Sequence, residues 1–391
     1  MARANPAIKS ASTAIGDSAL AARFQREVEG DVLFDAFTRG RYSTDASHYQ
    51  IEPIGVVIPK TEADVHSAMQ IAADAGVPVL PRGGGTSQCG QTVGEAVVID
   101  VSRHLNQIVD LDVAARRVTV QPGVVLDHLN RALAPHGLNF PVDVSTSAQA
   151  TIGGMTGNNS CGARSIVHGT MRDNVAEIDA ILADGTAMHF GPLGAEIDEA
   201  AMGPHAATLA RDLLKIGERE KAEIASRFPD VMRRVGGYNI DALVKGGRNA
   251  PVNLAHLLVG SEGTLGFSTK ITLDLAKTPK HKVLGICHFP DFYAAMDSTQ
   301  HIVKLGPAAV ELADRTMIDL ARDIPIFRKT IEQYIKGNPA AILLVEFSGE
   351  DRDDLLSQLR QLAELMGDLG FPNSIVEAAD SSSQKAVWDV R

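Results

Sequence analysis

Short apolar runs, each broken by proline, glycine or a pair of charges, recur along the first two thirds of this chain. Ile54-Gly-Val-Val-Ile-Pro59 reads as a strand stopped by proline, and Thr61-Glu-Ala-Asp64 behind it has the spacing of a helix capping box. Val65, Ala68, Met69 and Ala72 then share one helical face, and Gly76 stands where a C-terminal cap belongs. Val77-Pro-Val-Leu80 is a second strand. Residues 96–100, 107–111 and 117–121 are three more, the last closed by Pro122-Gly123. A helix is expected over 124–134. Further on, 175–182 and 187–190 flank Ala183-Asp184-Gly185, a hairpin signal, and a helix carries Leu209, Leu213 and Ile216. An apolar run at 254–259 precedes a cleanly alternating strand at 267–275.

Around 276–282 the alternation stops and Pro279 intervenes, which places a domain boundary there. Beyond it the pattern reads strand (283–289), helix (292–305) and strand (341–347). An amphipathic helix on Leu355, Leu359, Leu362 and Met366 and a strand near Ile375-Val376 complete a compact α+β unit. A new helix begins after the serines at 381–383, with no room left to pack, so the last domain reads as truncated. The first 30 residues are rich in Ala and Ser, with Arg3 and Lys9 ahead of the first acid, Asp17. They read as a frayed N-terminus, with a weak transit peptide as the other reading.

Three stretches stand out against this pattern because they are glycine-rich rather than apolar. Pro81-Arg-Gly-Gly-Gly-Thr-Ser-Gln88 follows the second strand. Gly83, Gly84 and Gly85 let the backbone enter φ > 0 and turn successive N–H groups toward one point, while Thr86 and Ser87 add hydroxyl donors. Taken alone it is either a phosphate cradle or a glycine-rich turn. A nicotinamide-type fold would place G-x-G-x-x-G between the first strand and the first helix, and here Gln88 occupies the last position counted from Gly83. A triphosphate-binding P-loop would need a following Gly-Lys-Ser/Thr, which is absent. The second stretch runs from Ser145 to Gly162 and the third is Gly260-Ser-Glu-Gly-Thr-Leu-Gly266.

Composition narrows the classes. With 391 residues and 45% hydrophobic content the chain can bury the cores of two or three domains. Its richest apolar runs are strand-sized, too short to cross a bilayer. Three scattered cysteines, Cys89, Cys161 and Cys287, form neither a disulfide framework nor a metal pattern and fit a reducing compartment. A net charge of −11 argues against nucleic acid as a partner, so an anionic ligand must be held by local geometry.

In that order, Pro81-Arg-Gly-Gly-Gly-Thr-Ser87, Ala150-Thr-Ile-Gly-Gly-Met155 with Asn158-Asn-Ser-Cys-Gly162, and Gly260-Ser-Glu-Gly-Thr-Leu-Gly266 resemble the vanillyl-alcohol oxidase superfamily, with its PCMH-type FAD-binding domain. More narrowly the chain is similar to the D-2-hydroxyacid dehydrogenase branch, which includes D-lactate, glycolate and D-2-hydroxyglutarate dehydrogenases and forms fused to an iron–sulfur region. The resemblance implies an N-terminal extension over 1–48, a two-subdomain FAD-binding domain over 49–276, and an incomplete α+β cap domain over 277–391. It assigns the FAD pyrophosphate to Pro81, Arg82, Gly83, Gly84, Gly85, Thr86, Ser87 and Gln88. It assigns further cofactor contacts to Thr151, Gly153, Gly154, Asn158 and Ser160, and closure of the site to Glu262, Gly266 and Phe267. Several relatives tether the flavin through a histidine just after the glycines; here that position is Thr86, so non-covalent FAD is expected. His168, where many relatives carry tyrosine, reads as a replaced packing residue.

The same resemblance implies oxidation of a small-molecule D-2-hydroxy acid to the 2-oxo acid, with electrons passed to a quinone, cytochrome or flavoprotein. Trp388-Asp-Val-Arg391 is similar to the branch's Trp-x-x-Arg, which makes Arg391 the expected anchor of the substrate carboxylate. A planar guanidinium suits that role because it can form two parallel hydrogen bonds. The branch's later His-rich motif, source of a base and sometimes of metal ligands, has no counterpart among the twelve histidines here. No metal site is therefore expected in this chain, and an iron–sulfur cluster or divalent metal only in segments beyond it. A cytoplasmic location, or one peripheral to the inner membrane, goes with these expectations. The alternative is a flavin-binding electron-transfer or assembly subunit without substrate chemistry of its own.

Overall fold

A computed structural model describes residues 14–194, 196–246 and 251–390. The chain divides into two compact units, 1–161 with 170–276, and 162–169 with 277–391. The expectations for the extreme N-terminus, with Arg3 and Lys9, and for Arg391 fall outside the described residues.

Two sheets, of four and five strands, form the body of the first unit. Strands Gly55–Ile58 and Val79–Arg82 both pair in parallel with Val97–Asp100, and the antiparallel strand Asp31–Leu33 closes the edge beside Gly55–Ile58. Parallel strands need a crossover, supplied here by the helix Glu62–Ala75. Its start is the expected capping box: Thr61 Oγ1 accepts from the Asp64 N–H while the Asp64 carboxylate accepts from the Thr61 N–H, and Gly76 ends it in the left-handed region at φ +65°. Val65, Ala68, Ile71 and Ala72 bury that helix's inner face against Val57, Val97 and Ile99.

The frayed N-terminus read from sequence over the first 30 residues is corrected by the structure from residue 14 onward. Helix Ser18–Glu27, capped by Asp17, buries Leu20, Ala21 and Phe24 in the same core, and the edge strand Asp31–Leu33 is part of the sheet. Three apolar side chains in ten residues are enough to hold the helix, and too few to announce it amid alanine and arginine.

The second sheet is antiparallel, in the order Ile108–Asp112, Arg117–Val120, Phe267–Asp274, Val175–Ile181, Ala187–Phe190. Its central strand is the last to appear in the chain, so the sheet closes only when residues 267–274 insert between strands that precede them by some 85 to 155 positions. Phe267, Thr269, Ile271 and Leu273 are buried and alternate with half-buried neighbours, the period-two pattern of the sequence.

The second unit is a four-stranded antiparallel sheet ordered Ala309–Asp314, Ala341–Gly349, His281–Phe289, Ile375–Ala378. Both faces are covered, which is why 283–289 and 341–347, apart from His288 and Glu346, run apolar instead of alternating. Val283, Cys287, Phe289, Val345 and Phe347 face helices Phe292–Ile302 and Arg352–Asp368. Leu284, Ile286, Ile342 and Leu344 face helices Arg315–Asp323, Pro325–Tyr334 and Ser381–Trp388. The strand at 309–314 and the helix pair at 315–334 have no counterpart in the sequence reading. On that second face one charge is buried: Glu346, 1% exposed, accepts two hydrogen bonds from Arg164 at 2.9 and 2.8 Å, with Lys282 Nζ at 3.8 Å.

A buried carboxylate is tolerable only when paired, and loss of one partner strands the other, at a cost of about 3 kcal/mol or more. Glu346→Ala is therefore expected to lower the unfolding free energy of the second unit by roughly that amount, measured by denaturant titration. A change within experimental error would show that the Arg164 pair adds nothing.

Candidate functional site

The three glycine stretches meet in the first unit, and they meet backbone to backbone. A Cβ at Gly83 would overlap Thr151 Oγ1, and one at Gly84 would overlap the main-chain oxygen of Gln149. A Cβ at Gly153 would come within 2.6 Å of the Pro122 ring, and one at Gly263 within 2.9 Å of Pro81 Cγ. Hydrogen bonds fix the same approach: the Gly153 N–H donates to Pro122 O (2.8 Å), the Gly260 N–H to Thr156 O and the Glu262 N–H to Gly157 O (2.9 Å each). Gly85 (φ +65°) and Gly263 (φ +75°) take left-handed conformations that glycine adopts without strain.

What results is one concavity lined by Pro81, Arg82, Gly83, Ser87, Gly153, Gly154, Glu262, Gly266 and Phe267, all expected from the sequence. Thr151 lies behind this lining; it caps the short helix Ile152–Asn158 by accepting from the Gly154 N–H. Asn158 Nδ2 donates to Glu262 Oε1 (3.0 Å), and Ser160 Oγ donates to Asn158 Oδ1 (3.1 Å). Gly84, Gly85, Thr86 and Gln88 do not line the concavity; Gly84 packs on Gln149, and Gly85 O accepts from the Ala46 N–H.

The sequence reading missed Gln91, Thr92, Gly157, Ser261 and Ser268, which also line it. Gly157 and Ser261 lie within the second and third stretches, and Gln91, Thr92 and Ser268 follow the first and third closely, so position in or beside a stretch is the one signal that could have found them.

Two ionisable groups stand among the described lining residues, Arg82 and Glu262. Arg82 is not aimed as a free cation: its guanidinium donates to the carbonyls of Tyr42 (3.1 Å), Thr44 (2.8 Å) and Thr92 (3.1 Å) and stacks over the Tyr42 ring at 5.1 Å. Burial pushes its pKa down, against the pull of Asp100, Tyr42 and Asp45. Arg82 thus ties the first glycine stretch to residues 42–44. Glu262 has φ +51°, an uncommon conformation for a residue with a side chain. Burial raises its pKa, opposed by the hydrogen bonds from Asn158 and Gln91.

Behind the third stretch lies a network the sequence did not resolve. Asn239, 1% exposed, donates to His256 O (3.2 Å) and Val259 O (2.8 Å), the open carbonyls at the end of helix Ala255–Leu258. Asp241 accepts from both Arg172 (2.7 Å) and Arg234 (2.5 Å), and Tyr238 Oη meets Thr264 Oγ1 at 2.7 Å. The segment Gly236-Gly-Tyr-Asn-Ile-Asp241 therefore supports the loop that ends in Gly266. His256 sits in this network with its pKa lowered to about 4, first by burial and then by the Arg172 charge.

The concavity is lined mainly by glycines, hydroxyl side chains and other neutral residues, and its one arginine is directed elsewhere. Among the described residues no group of three or more His, Cys, Asp or Glu side chains is placed to hold a metal ion. Residues 53–191 match the family described as "FAD binding domain", and residues 278–391 match "FAD linked oxidases, C-terminal domain". The chain belongs to the PCMH-type FAD-linked oxidase family.

It is 32% identical over 355 residues to the D-2-hydroxyglutarate dehydrogenase of Escherichia coli (strain K12), covering 87% of this chain and 35% of that protein. It is 30% identical to glycolate oxidase subunit GlcD of Bacillus subtilis (83% and 58% covered) and 29% identical to a probable mitochondrial D-lactate dehydrogenase of Danio rerio (94% and 63% covered). The chain spans about a third of the length of the D-2-hydroxyglutarate dehydrogenases it matches. Its fold resembles alkyldihydroxyacetonephosphate synthase, with a TM-score of 0.64 at 16% identity, over 91% of this chain and 60% of that one.

The glycine packing fits FAD, since any side chain at Gly83 or Gly84 would push the first stretch off the second. Gly84→Ala is expected to remove the visible absorbance of bound flavin from purified protein. Gly94→Ala, whose Cβ would meet only Leu80 Cδ2 at 3.7 Å, is expected to keep it; equal flavin content in both would refute the packing argument.

His256 yields a pH dependence. Its folded pKa lies below the 6.5 of the unfolded chain, so the stability it contributes is complete above pH 6.5 and is lost as pH falls toward about 4. Each unit of depression corresponds to about 1.4 kcal/mol, so the loss approaches about 3 kcal/mol. Unfolding free energy of His256→Gln should be flatter than that of the parent over this range; parallel curves would remove His256 as the cause.

Proposed function

We propose that this protein is an FAD-dependent dehydrogenase that oxidises a D-2-hydroxy acid, of the D-lactate or D-2-hydroxyglutarate type, to the 2-oxo acid. The observation that carries the proposal is the convergence of the three glycine stretches on one concavity, in a chain whose second part matches the C-terminal domain of FAD-linked oxidases. The named relatives supply the substrate class. FAD, when bound, supplies the acceptor for the substrate's hydride at flavin N5.

The chain's own contribution is binding and orientation. Backbone donors around Gly83 and Gly263, with the Ser87 hydroxyl, would hold the cofactor's diphosphate, with Gly153, Gly154, Gly266 and Phe267 in the wall beside them. Arg391 binds the substrate carboxylate in two parallel hydrogen bonds, which leaves the C2 hydroxyl and C2–H of the substrate as the groups to be oriented. Thr86 at the tether position leaves the flavin non-covalent. Among the described residues no helix is long and apolar enough to cross a membrane, and a cytoplasmic or peripheral location goes with the proposal.

A second reading, an FAD-binding subunit that passes electrons without substrate chemistry of its own, is favoured by one observation: one of the relatives is itself described as a subunit. The two readings part on a single experiment. Anaerobic addition of D-lactate or D-2-hydroxyglutarate to intact flavin-loaded protein is expected to bleach the flavin; no bleaching by any 2-hydroxy acid would leave the subunit reading. Arg391→Ala should then raise KM on the order of a hundredfold, as loss of charged hydrogen bonds does, and an unchanged KM would exclude Arg391 as the anchor. Acid precipitation of the protein should leave the flavin in the supernatant, and yellow precipitate would contradict the non-covalent assignment.

A further inference from the structure

Glu262 is out of place by charge. Every other group that the concavity offers to a diphosphate is neutral or, in Arg82, engaged with main-chain carbonyls, yet here a carboxyl group stands in the wall. Its position ties the whole site together. Gln91, which follows the first glycine stretch, and Asn158, from the second, both donate side-chain N–H groups to Glu262 Oε1, at 3.5 and 3.0 Å. Glu262 itself belongs to the third and is held there by its N–H bond to Gly157 O. One oxygen of the carboxylate thus collects both amides, and among the described residues no hydrogen-bond donor is placed on Oε2.

Glu262 is half-shielded by its neighbours but still exposed as a residue, so solvent protons reach it. The charged and titratable groups around it are few. Arg82 and the exposed Cys89 come from the first stretch. Tyr42 and Asp45 pack on Arg82 and Thr92, Asp45 accepting from Thr92 Oγ1 at 3.0 Å. Residues 149–158 contribute no charged side chain.

We propose that Glu262 is a proton-linked latch on the cofactor concavity: ionised, it clips the three glycine stretches together in the flavin-free protein, and it takes up one proton when the FAD diphosphate enters. The proposal rests on the assignment of FAD to this concavity. Its chemistry is that of two anions in one concave site, where a like charge disfavours the ionised carboxyl. Protonation at Oε2 leaves Oε1 free to keep both amide hydrogen bonds, and it converts Oε2 from an acceptor that repels a phosphate oxygen into an O–H donor that binds one. The proton comes from solvent, so one proton is consumed per FAD bound and nothing is oxidised or reduced. The raised pKa of the flavin-free carboxyl lies in the direction this requires.

The sign follows from linkage. A group whose pKa is higher in the complex favours binding most strongly at low pH, and the advantage is lost as pH rises through the bound-state pKa. FAD affinity of the intact apoprotein, read by flavin fluorescence, should weaken with rising pH by up to about tenfold per pH unit in that window. Titration calorimetry in two buffers of different ionisation enthalpy should show proton uptake approaching one per FAD.

Glu262→Gln, which keeps an oxygen for the two amides but cannot titrate, should bind FAD with a flat pH profile, no proton uptake, and higher affinity than the parent at alkaline pH. Glu262→Gly, which also relieves the left-handed backbone, should be flat as well. Thermal unfolding of both apoproteins shows whether they are folded. Proton-free binding by the parent protein, or a pH slope that survives in a folded variant, overturns the latch. Failure of the parent to bind FAD at any pH overturns the FAD assignment itself, a result distinct from binding without proton uptake.

Discussion

The first unit depends on one insertion. Strand Phe267–Asp274 enters the middle of a sheet whose other strands were laid down at 108–190, and the loop immediately before it is the third glycine stretch. The pairing of Ile271 with Val120 on one side and Ile178 on the other fixes the height of that loop to within a residue, because a slip by one would turn Phe267, Ile271 and Leu273 out of the core. Core packing therefore sets where Glu262 and Gly266 stand. From the far side, the Gly260 and Glu262 N–H bonds to Thr156 and Gly157 fix the same loop against the second stretch. A binding site whose parts come from residues 81, 153 and 263 is in this way positioned by a sheet that contains none of them.

How much of this was legible in the sequence follows the range of the interaction. The capping box at Thr61 and Asp64, the left-handed Gly76 and the alternation of 267–275 are local, and they lie in the structure where the sequence put them. The strand at 309–314 and the helices at 315–334 were not read, and the reason is visible in their exposure. Met317, Leu320, Ile324 and Ile326 are apolar and face solvent, so the polar face that should have marked a helix is blurred, and Pro325 interrupts the period. The N-terminal helix failed for the opposite reason, too few apolar residues.

The pairing of Arg164 with Glu346 spans 182 positions and has no local sign at all. Of the candidate site, the three glycine stretches could be read because close backbone approach excludes side chains, and that exclusion is written directly as glycine. What could not be read is direction. Arg82 looks in sequence like a phosphate ligand, and in the structure its guanidinium serves the carbonyls of residues 42, 44 and 92. Tyr238, Asn239 and Asp241 look like a polar loop and in fact carry the end of the 255–258 helix and two arginines.

The charge of the protein sharpens the same point. At a net charge of −11 there is no long-range field to draw in an anion, and the concavity's one arginine is engaged with main-chain carbonyls, so under the proposed function fixed dipoles would have to serve in place of cations. Main-chain N–H groups held by glycine packing need no reorganisation when the ligand arrives, and they cost no desolvation of a lysine or arginine. Their weakness is that they cannot be strengthened by moving a side chain; affinity then depends on the loops keeping their mutual spacing. A single carboxylate that gathers one amide from Asn158 of the second stretch and one from Gln91, just past the first, serves that spacing only if its own charge is removed when a second anion enters. In a concave wall, with one oxygen accepting both amides and no donor among the described residues on the other, that removal requires one proton and no rearrangement of the main chain.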